Sequence, residues 1–347
     1  MNVVFIGFRH AHMHAMYTLL AGRGEVHVAA VCEEDPATRE ELARAGISVT
    51  HDSYTRMLDE TDCDAVLCGD YFALRGQRVL QALERDKHVL SDKPLCTSLQ
   101  ELGRIRELSL ARRLRVGCML DLRDLGPCIT LRRMIRAGCI GETHTVTFWG
   151  QHPMLYGKRP MWMFDGAKHG GTLNDVGVHG IDLIPWLTGR EIVEVTAARV
   201  WNAKAKEHPA FQDGASMMLR LDNGGAVLGD LSYLSSDRHG YTMSPYWRFT
   251  LSGSEGVIET SCNEPHVTLW RHDRDEVIRE AIAPARPGGY FEDFLADVRG
   301  TPRAEGLNTA SVLKATSIAL MAQQAAETMR FPVNVAQPAI TMGECET

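Results

Sequence analysis

The sequence predicts an α/β protein in two parts: an N-terminal doubly wound parallel sheet, then an α/β domain built on a large, mostly antiparallel sheet. Three observations carry this expectation. The 347 residues suffice for two domains of ordinary size, each with its own core. The first third alternates short Val/Ile/Leu/Ala strands with helices, as strands buried on both faces require. Past residue 138 the strands become longer and mix apolar with polar residues.

Taken in order, residues 2–6 read as the first strand and 12–21 as the helix after it, followed by a strand at 26–31 and a helix at 36–44. Strands at 65–67 and 88–90 enclose a helix at 76–85, and a helix at 99–111 leads to a strand at 114–118. A helix at 127–137 and a glycine turn at 138–141 open the second part. Strands are expected there at 143–151, 193–203, 216–221, 226–234, 247–252, 257–261 and 267–271. Asn223-Gly224-Gly225 and Ser254-Glu255-Gly256 supply hairpin chemistry. Helices at 290–298 and 309–328 close it. The expected division is residues 1–120, residues 121–333 and an irregular tail, 334–347.

Composition narrows the function classes. The chain is 44% apolar and 23% charged with a net charge of −7, and no basic stripe interleaves with aromatics, so nucleic acid is not an expected partner. The arginines between Arg104 and Arg115 alternate with Leu102, Ile105, Leu108 and Leu110 at helical spacing, which reads as the wet face of a packed helix. No apolar run reaches the roughly 20 residues of a membrane span. The opening strand lacks the features of a secretion signal, and the nine scattered cysteines contain no CxxC, so reduced thiols in a cytoplasmic protein are expected.

The first strand ends in Gly7-Phe8-Arg9-His10-Ala11-His12. A dinucleotide-binding turn uses glycines for the tight turn, the approach of pyrophosphate and helix packing. Gly7 is in place, whereas Arg9 and His12 stand at the second and third glycine positions. The helix N-terminus beyond Gly7 still offers N–H groups to an anion, and Arg9, or a protonated histidine, would add positive charge. Glu33 closes the second strand, where an acid accepts the adenine ribose hydroxyls and repels a 2′-phosphate, favouring NAD over NADP. The alternative for this acidic cluster is a simple helix start, with Glu34 and Asp35 stabilising the next N-terminus.

Lys93, between Asp92 and Pro94, sits at a strand end, where ligands gather in such sheets. Asp175, His179 and Asp182 are spaced i, i+4 and i+7, one stripe if helical. Asp175 could then orient His179 as general base or acid; the competing reading is a core histidine with a capping aspartate. A metal reading of the stripe, with His10-x-His12-x-His14 as partner, has no HExxH-like or cysteine spacing behind it, and no metal is assigned.

Together these residues resemble the Gfo/Idh/MocA oxidoreductase family over nearly the whole chain. Residues 87–95, Lys-His-Val-Leu-Ser-Asp-Lys-Pro-Leu, look like its GKHVLxEKP segment with Asp92 for glutamate. The stretch from Gly170 to Asp182 matches GGxxxDxGxHxxD at each defined position, and Trp162 and Pro185-Trp186-Leu187-Thr188-Gly189 also fit. The resemblance implies a Rossmann domain, a C-terminal domain with an open sheet that often forms homodimers or homotetramers, and reversible NAD(P)-linked oxidation of a hydroxyl on a sugar, polyol or related small molecule. It implies Lys93, Asp175 and His179 as the catalytic trio. Gly7, Phe8, Arg9, His10, Glu33, Asp70, Asp92 and Lys93 are the residues expected beside the cofactor. Three regions depart from the family pattern: the glycine turn, Asp70-Tyr71-Phe72 running to Arg75 in place of Thr-Pro-Asn ending in histidine, and Met119-Leu120-Asp121-Leu122-Arg123. Two further readings stay open, a redox-neutral glycosidase with tightly held NAD and a non-catalytic nucleotide sensor. Gln151, His152, Tyr156, His239 and Tyr241 are polar residues suited to a sugar pocket.

Overall fold

The computed structural model describes residues 1–336. Elements are numbered along the chain. The first ten are β1 (Asn2–Ile6), α1 (Ala11–Ala21), β2 (His27–Cys32), α2 (Pro36–Arg44), α3 (Tyr54–Glu60), β3 (Ala65–Cys68), α4 (Phe72–Leu83), β4 (His88–Ser91), α5 (Leu99–Ala111) and β5 (Val116–Cys118). The strands form one parallel sheet in the order β2-β1-β3-β4-β5. Val3 to Ile6 and Ala65 to Cys68 are fully buried, as strands covered on both faces must be.

Two differences from the sequence expectation have local causes. Helix α4 begins at Phe72 rather than Gly76, because Phe72, Arg75, Gly76, Val79 and Leu83 form its buried face and an arginine in that set does not read as core. Helix α3 was not expected. It is only seven residues long, with Ser53 Oγ accepting from Arg56 N–H at its start and Tyr54, Met57 and Leu58 buried.

The chain continues as α6 (Gly126–Arg136), β6 (Thr143–Pro153), α7 (Gly166–His169), a π-helical turn (Leu173–Gly177) and α8 (Val178–Thr188). It then forms β7 (Ile192–Trp201), β8 (Gly214–Leu221), β9 (Ala226–Ser235), β10 (Arg248–Gly253), β11 (Gly256–Ser261), β12 (His266–Arg271) and β13 (Val277–Ala281). Helices α9 (Gly289–Val298) and α10 (Thr309–Thr328) precede the short strand β14 (Val333–Asn334). A nine-stranded sheet runs β13-β12-β11-β10-β6-β9-β8-β7-β14, antiparallel except for the β6–β9 pair. Strand β13 was not expected, since its side chains alternate between exposed and half-buried and so lack an apolar face. At the tail, Val333 and Asn334 pair with β7; residues 337–347 lie outside the described part.

Contacts gather the chain into two compact units. The first comprises Met1–Asp121, Pro160–Gly170 and Gly288–Leu313; the second comprises Leu122–Arg159, Gly171–Pro287 and the chain from Lys314 onward. In the second unit α6 and α8 pack together against the sheet. Its strands also expose Met218 and Leu228, a directly opposed cross-strand pair. No helix among the described residues is long and apolar enough to cross a membrane. The eight described cysteines are free thiols.

Candidate active site

In the first unit, the turn after β1 is held by backbone. Gly7 has φ +76° and donates to Cys32 O at 3.1 Å, while its carbonyl accepts from Asp70 N–H at 3.2 Å. A Cβ on Gly7 would lie 2.5 Å from Asp70 N, so this crossing of the β1 and β3 turns requires glycine. His10 occupies the N-cap of α1 in extended conformation, and its side chain does not cap the helix. Arg9 reaches the other way: its guanidinium lies 3.2 Å from Asp70, 3.4 Å from Glu33 and 4.3 Å from the Tyr71 ring centroid. Glu33 is fully buried and accepts from Phe8 N–H at 2.6 Å and Asp35 N–H at 2.9 Å. Burial pushes its carboxyl above the ordinary value despite those bonds.

At the end of β4, Asp92 is the hub of a buried network. Its carboxylate accepts from Arg75 Nη2 at 2.6 Å, His10 Nδ1 at 2.7 Å, His12 Nδ1 at 2.9 Å and Lys93 N–H at 2.7 Å. Burial pushes this carboxyl up, but Arg75 and the two imidazoles outweigh it and hold Asp92 well below the carboxylate range. Burial also brings the His10 imidazole down to about 4, so it is neutral at pH 7. Arg75, fully buried, donates through Nη1 to the carbonyl of Lys93. The Lys93 ammonium lies 5.9 Å from the Phe72 ring centroid, and Phe72 also packs beside Trp162, His169 and His10 at 5.0, 5.3 and 5.5 Å. Trp162 Nε1–H donates to Arg9 O at 3.2 Å.

In the second unit, Asp175 lies in the π-helical turn and His179 in the first turn of α8, both buried. The segment is helical throughout, yet the stripe does not face one partner. Asp175 accepts a hydrogen bond from the hydroxyl of Tyr233 on β9. His179 packs 5.2 Å from the Trp247 ring. Asp182 forms a bidentate pair with Arg123 at 2.6 and 2.7 Å, which gives it a structural partner of its own. Burial, followed by the negative charge of Asp175, raises the Tyr233 phenol well above its ordinary value, so it stays a donor. Gly180 allows the close packing of α8 on β6, since a Cβ there would sit 2.3 Å from the Phe148 ring.

The sequence-derived candidates therefore fall into two groups. Gly7, Phe8, Arg9, His10, Glu33, Asp70, Asp92 and Lys93 lie together in the first unit, and Asp175 and His179 lie together in the second. Of the polar pocket candidates, His152 and Tyr241 belong to an aromatic cluster with Tyr233, Tyr246 and Trp247. Tyr156 instead bonds His208 at 3.1 Å. Gln151 accepts from Ser232, and His239 is exposed. Sequence reasoning missed Tyr233 and Trp247. Tyr233 sits in an alternating strand with nothing local to mark it, and only the pairing order of the sheet brings it under Asp175.

Comparison with known proteins is consistent with both halves. Residues 1–119 match the profile of the GFO/IDH/MocA oxidoreductase family's NAD-binding Rossmann fold, and residues 128–259 match that of a GFO/IDH/MocA C-terminal domain. The chain is 27% identical to inositol 2-dehydrogenase 2 of Saccharopolyspora erythraea over 88% of its own length and 87% of that protein's. It is 30% identical to a dTDP-3,4-didehydro-2,6-dideoxy-α-D-glucose 3-reductase of Saccharopolyspora spinosa over 75% and 76% of the two chains. Among solved structures, an Agrobacterium radiobacter oxidoreductase in complex with NAD+, L-tartaric acid and magnesium has the same fold, with TM-score 0.77 at 17% identity, covering 96% of this chain and 98% of that one.

Proposed function

Because the chain belongs to the Gfo/Idh/MocA family of oxidoreductases with an NAD-binding Rossmann domain, we propose that it transfers a hydride between NAD(H) and a hydroxyl- or keto-bearing carbon of a sugar, polyol or related small molecule. The observation that carries this reading is the intact Asp175–His179 pair, buried in the second unit with Asp175 held by Tyr233. The inositol and deoxysugar activities of the relatives supply the substrate class.

The first unit fits a dinucleotide at its pyrophosphate end: Gly7 makes the tight turn, and the N-terminus of α1 has no side-chain cap competing for its N–H groups. Arg9 adds a cation beside that turn. Glu33 would disfavour a 2′-phosphate by its charge, which supports NAD over NADP. Bound nicotinamide supplies the hydride acceptor or donor. His179 takes the hydroxyl proton in the oxidising direction and returns it in the reducing one. Lys93 hydrogen-bonds the same oxygen, and Asp175 orients the imidazole or contacts a neighbouring hydroxyl. The opposed Met218 and Leu228 support self-association through the open sheet.

The test is titration of the purified protein with NADH and NADPH by fluorescence, then turnover with a panel of inositols and sugars. Tight NADH binding with NAD-linked turnover of one or more of these substrates is expected. Binding without turnover on the whole panel would remove the dehydrogenase reading and favour a nucleotide sensor.

A further inference from the structure

Two of the three positions where a dinucleotide turn ordinarily keeps glycine carry side chains here, Arg9 and His12, and two residues of this turn, His10 and His12, converge on one carboxylate. Each imidazole meets a different oxygen of Asp92 through Nδ1, at 2.7 and 2.9 Å. A carboxylate only accepts, so both Nδ1 atoms carry the hydrogen. Arg75 contacts the same carboxylate at 2.6 Å. A ring held through Nδ1 turns its Nε2 edge away from the carboxylate, and in its neutral form keeps a lone pair there. Among the described residues neither Nε2 has a hydrogen-bond partner. The rings are adjacent, with centroids 4.3 Å apart.

Carboxylate-backed imidazoles of fixed tautomer are what metal-ligating histidines require. One potential ligand atom from each of His10, His12 and Asp92 lies within 4.8 Å of the others. Asp92 itself stays with Arg75, behind the rings.

We propose that His10 and His12, oriented by Asp92, bind a divalent transition-metal ion through their Nε2 atoms at the mouth of the first sheet. Two imidazoles suit zinc and its first-row neighbours and leave open positions on the ion for water. This site goes beyond the oxidoreductase reading and does not depend on it.

The test uses the full chain without nucleotide or polyol. Chelator-treated wild type, His10→Gln and His12→Gln proteins are dialysed against Zn2+ and their metal content is measured. Wild type should retain about one zinc per chain more than either variant, with affinity lowered at least about 100-fold in each. Equal zinc content in all three would overturn the proposal, because any zinc on the cysteines is common to them. A second measurement needs no variant: Zn2+ should protect His12 of the wild type from carbethoxylation, read by peptide mass spectrometry. Modification of His12 at the same rate with and without zinc would also overturn it.

Discussion

The turn after β1 and the π turn into α8 solve opposite problems. The first departs from its family pattern and replaces open backbone with an ionic network, in which Arg9, Glu33 and Asp70 form one cluster and Arg75, Asp92, His10 and His12 another. The second keeps its pattern at each defined position, with Tyr233 on Asp175 and Trp247 beside His179. The difference teaches that a buried carboxylate such as Asp92 is secured by several partners at once, Arg75 and two imidazoles among them. On our proposal His179 moves a proton, and a group with that task tolerates fewer partners.

That contrast is testable, because it assigns turnover to the second region and stability to the first. The largest effect expected is for His179→Ala, whose kcat should fall by about 10²–10⁴, the scale of general acid–base catalysis, with NADH affinity unchanged; unchanged turnover would end the comparison. Arg75→Met leaves Asp92 buried without its full countercharge and should cost about 3–5 kcal/mol of stability, read by calorimetry. A variant that melts like wild type would show that the imidazoles alone suffice for Asp92.

Tyr233→Phe sharpens the second region. Loss of a hydrogen bond to an ionised carboxylate is worth about 1.5–3 kcal/mol, so kcat should drop roughly 10–100-fold while cofactor affinity stays. A fall in NADH binding instead would mean that Tyr233 acts through the fold rather than through Asp175. The smallest effect is a labelling pattern. Burial pushes the Cys32 and Cys68 thiols up to about 12, whereas Cys139 and Cys262 are part-exposed. Ellman's reagent on the native protein should reach Cys139 and Cys262 first among the described thiols. Rapid reaction at Cys32 or Cys68 would show that the closed core around the first network opens readily.

Much of the fold was legible because it follows from local periodicity. All five strands of the parallel sheet were expected, since unbroken apolar runs between helices have few other solutions. Helix α2 was expected within its observed bounds, 36–44, where Asp35 caps its N-terminus by accepting from Thr38 N–H and Pro36 leads its first turn. Elements without an apolar signature were missed, as with β13, or displaced, as with α4, where a buried arginine breaks the pattern. In the site, Asp175 and His179 were legible from their motif and spacing. Trp247 was not, because an aromatic at the start of an expected strand, 247–252, reads as packing until its neighbours are known.

By itself the sequence determined the class of fold and the helical placement of Asp175 and His179, which are written in spacings of two to seven residues. Only the tertiary structure decided which charges are partners. Asp92 meets His10 across 82 residues and Arg75 across 17, Glu33 meets Phe8 across 25, and Tyr233 meets Asp175 across 58. Periodicity carries no record of such pairings. A buried charge takes whichever partner the strand order brings within about 3 Å, and burial makes that choice binding because an unpaired charge there is costly.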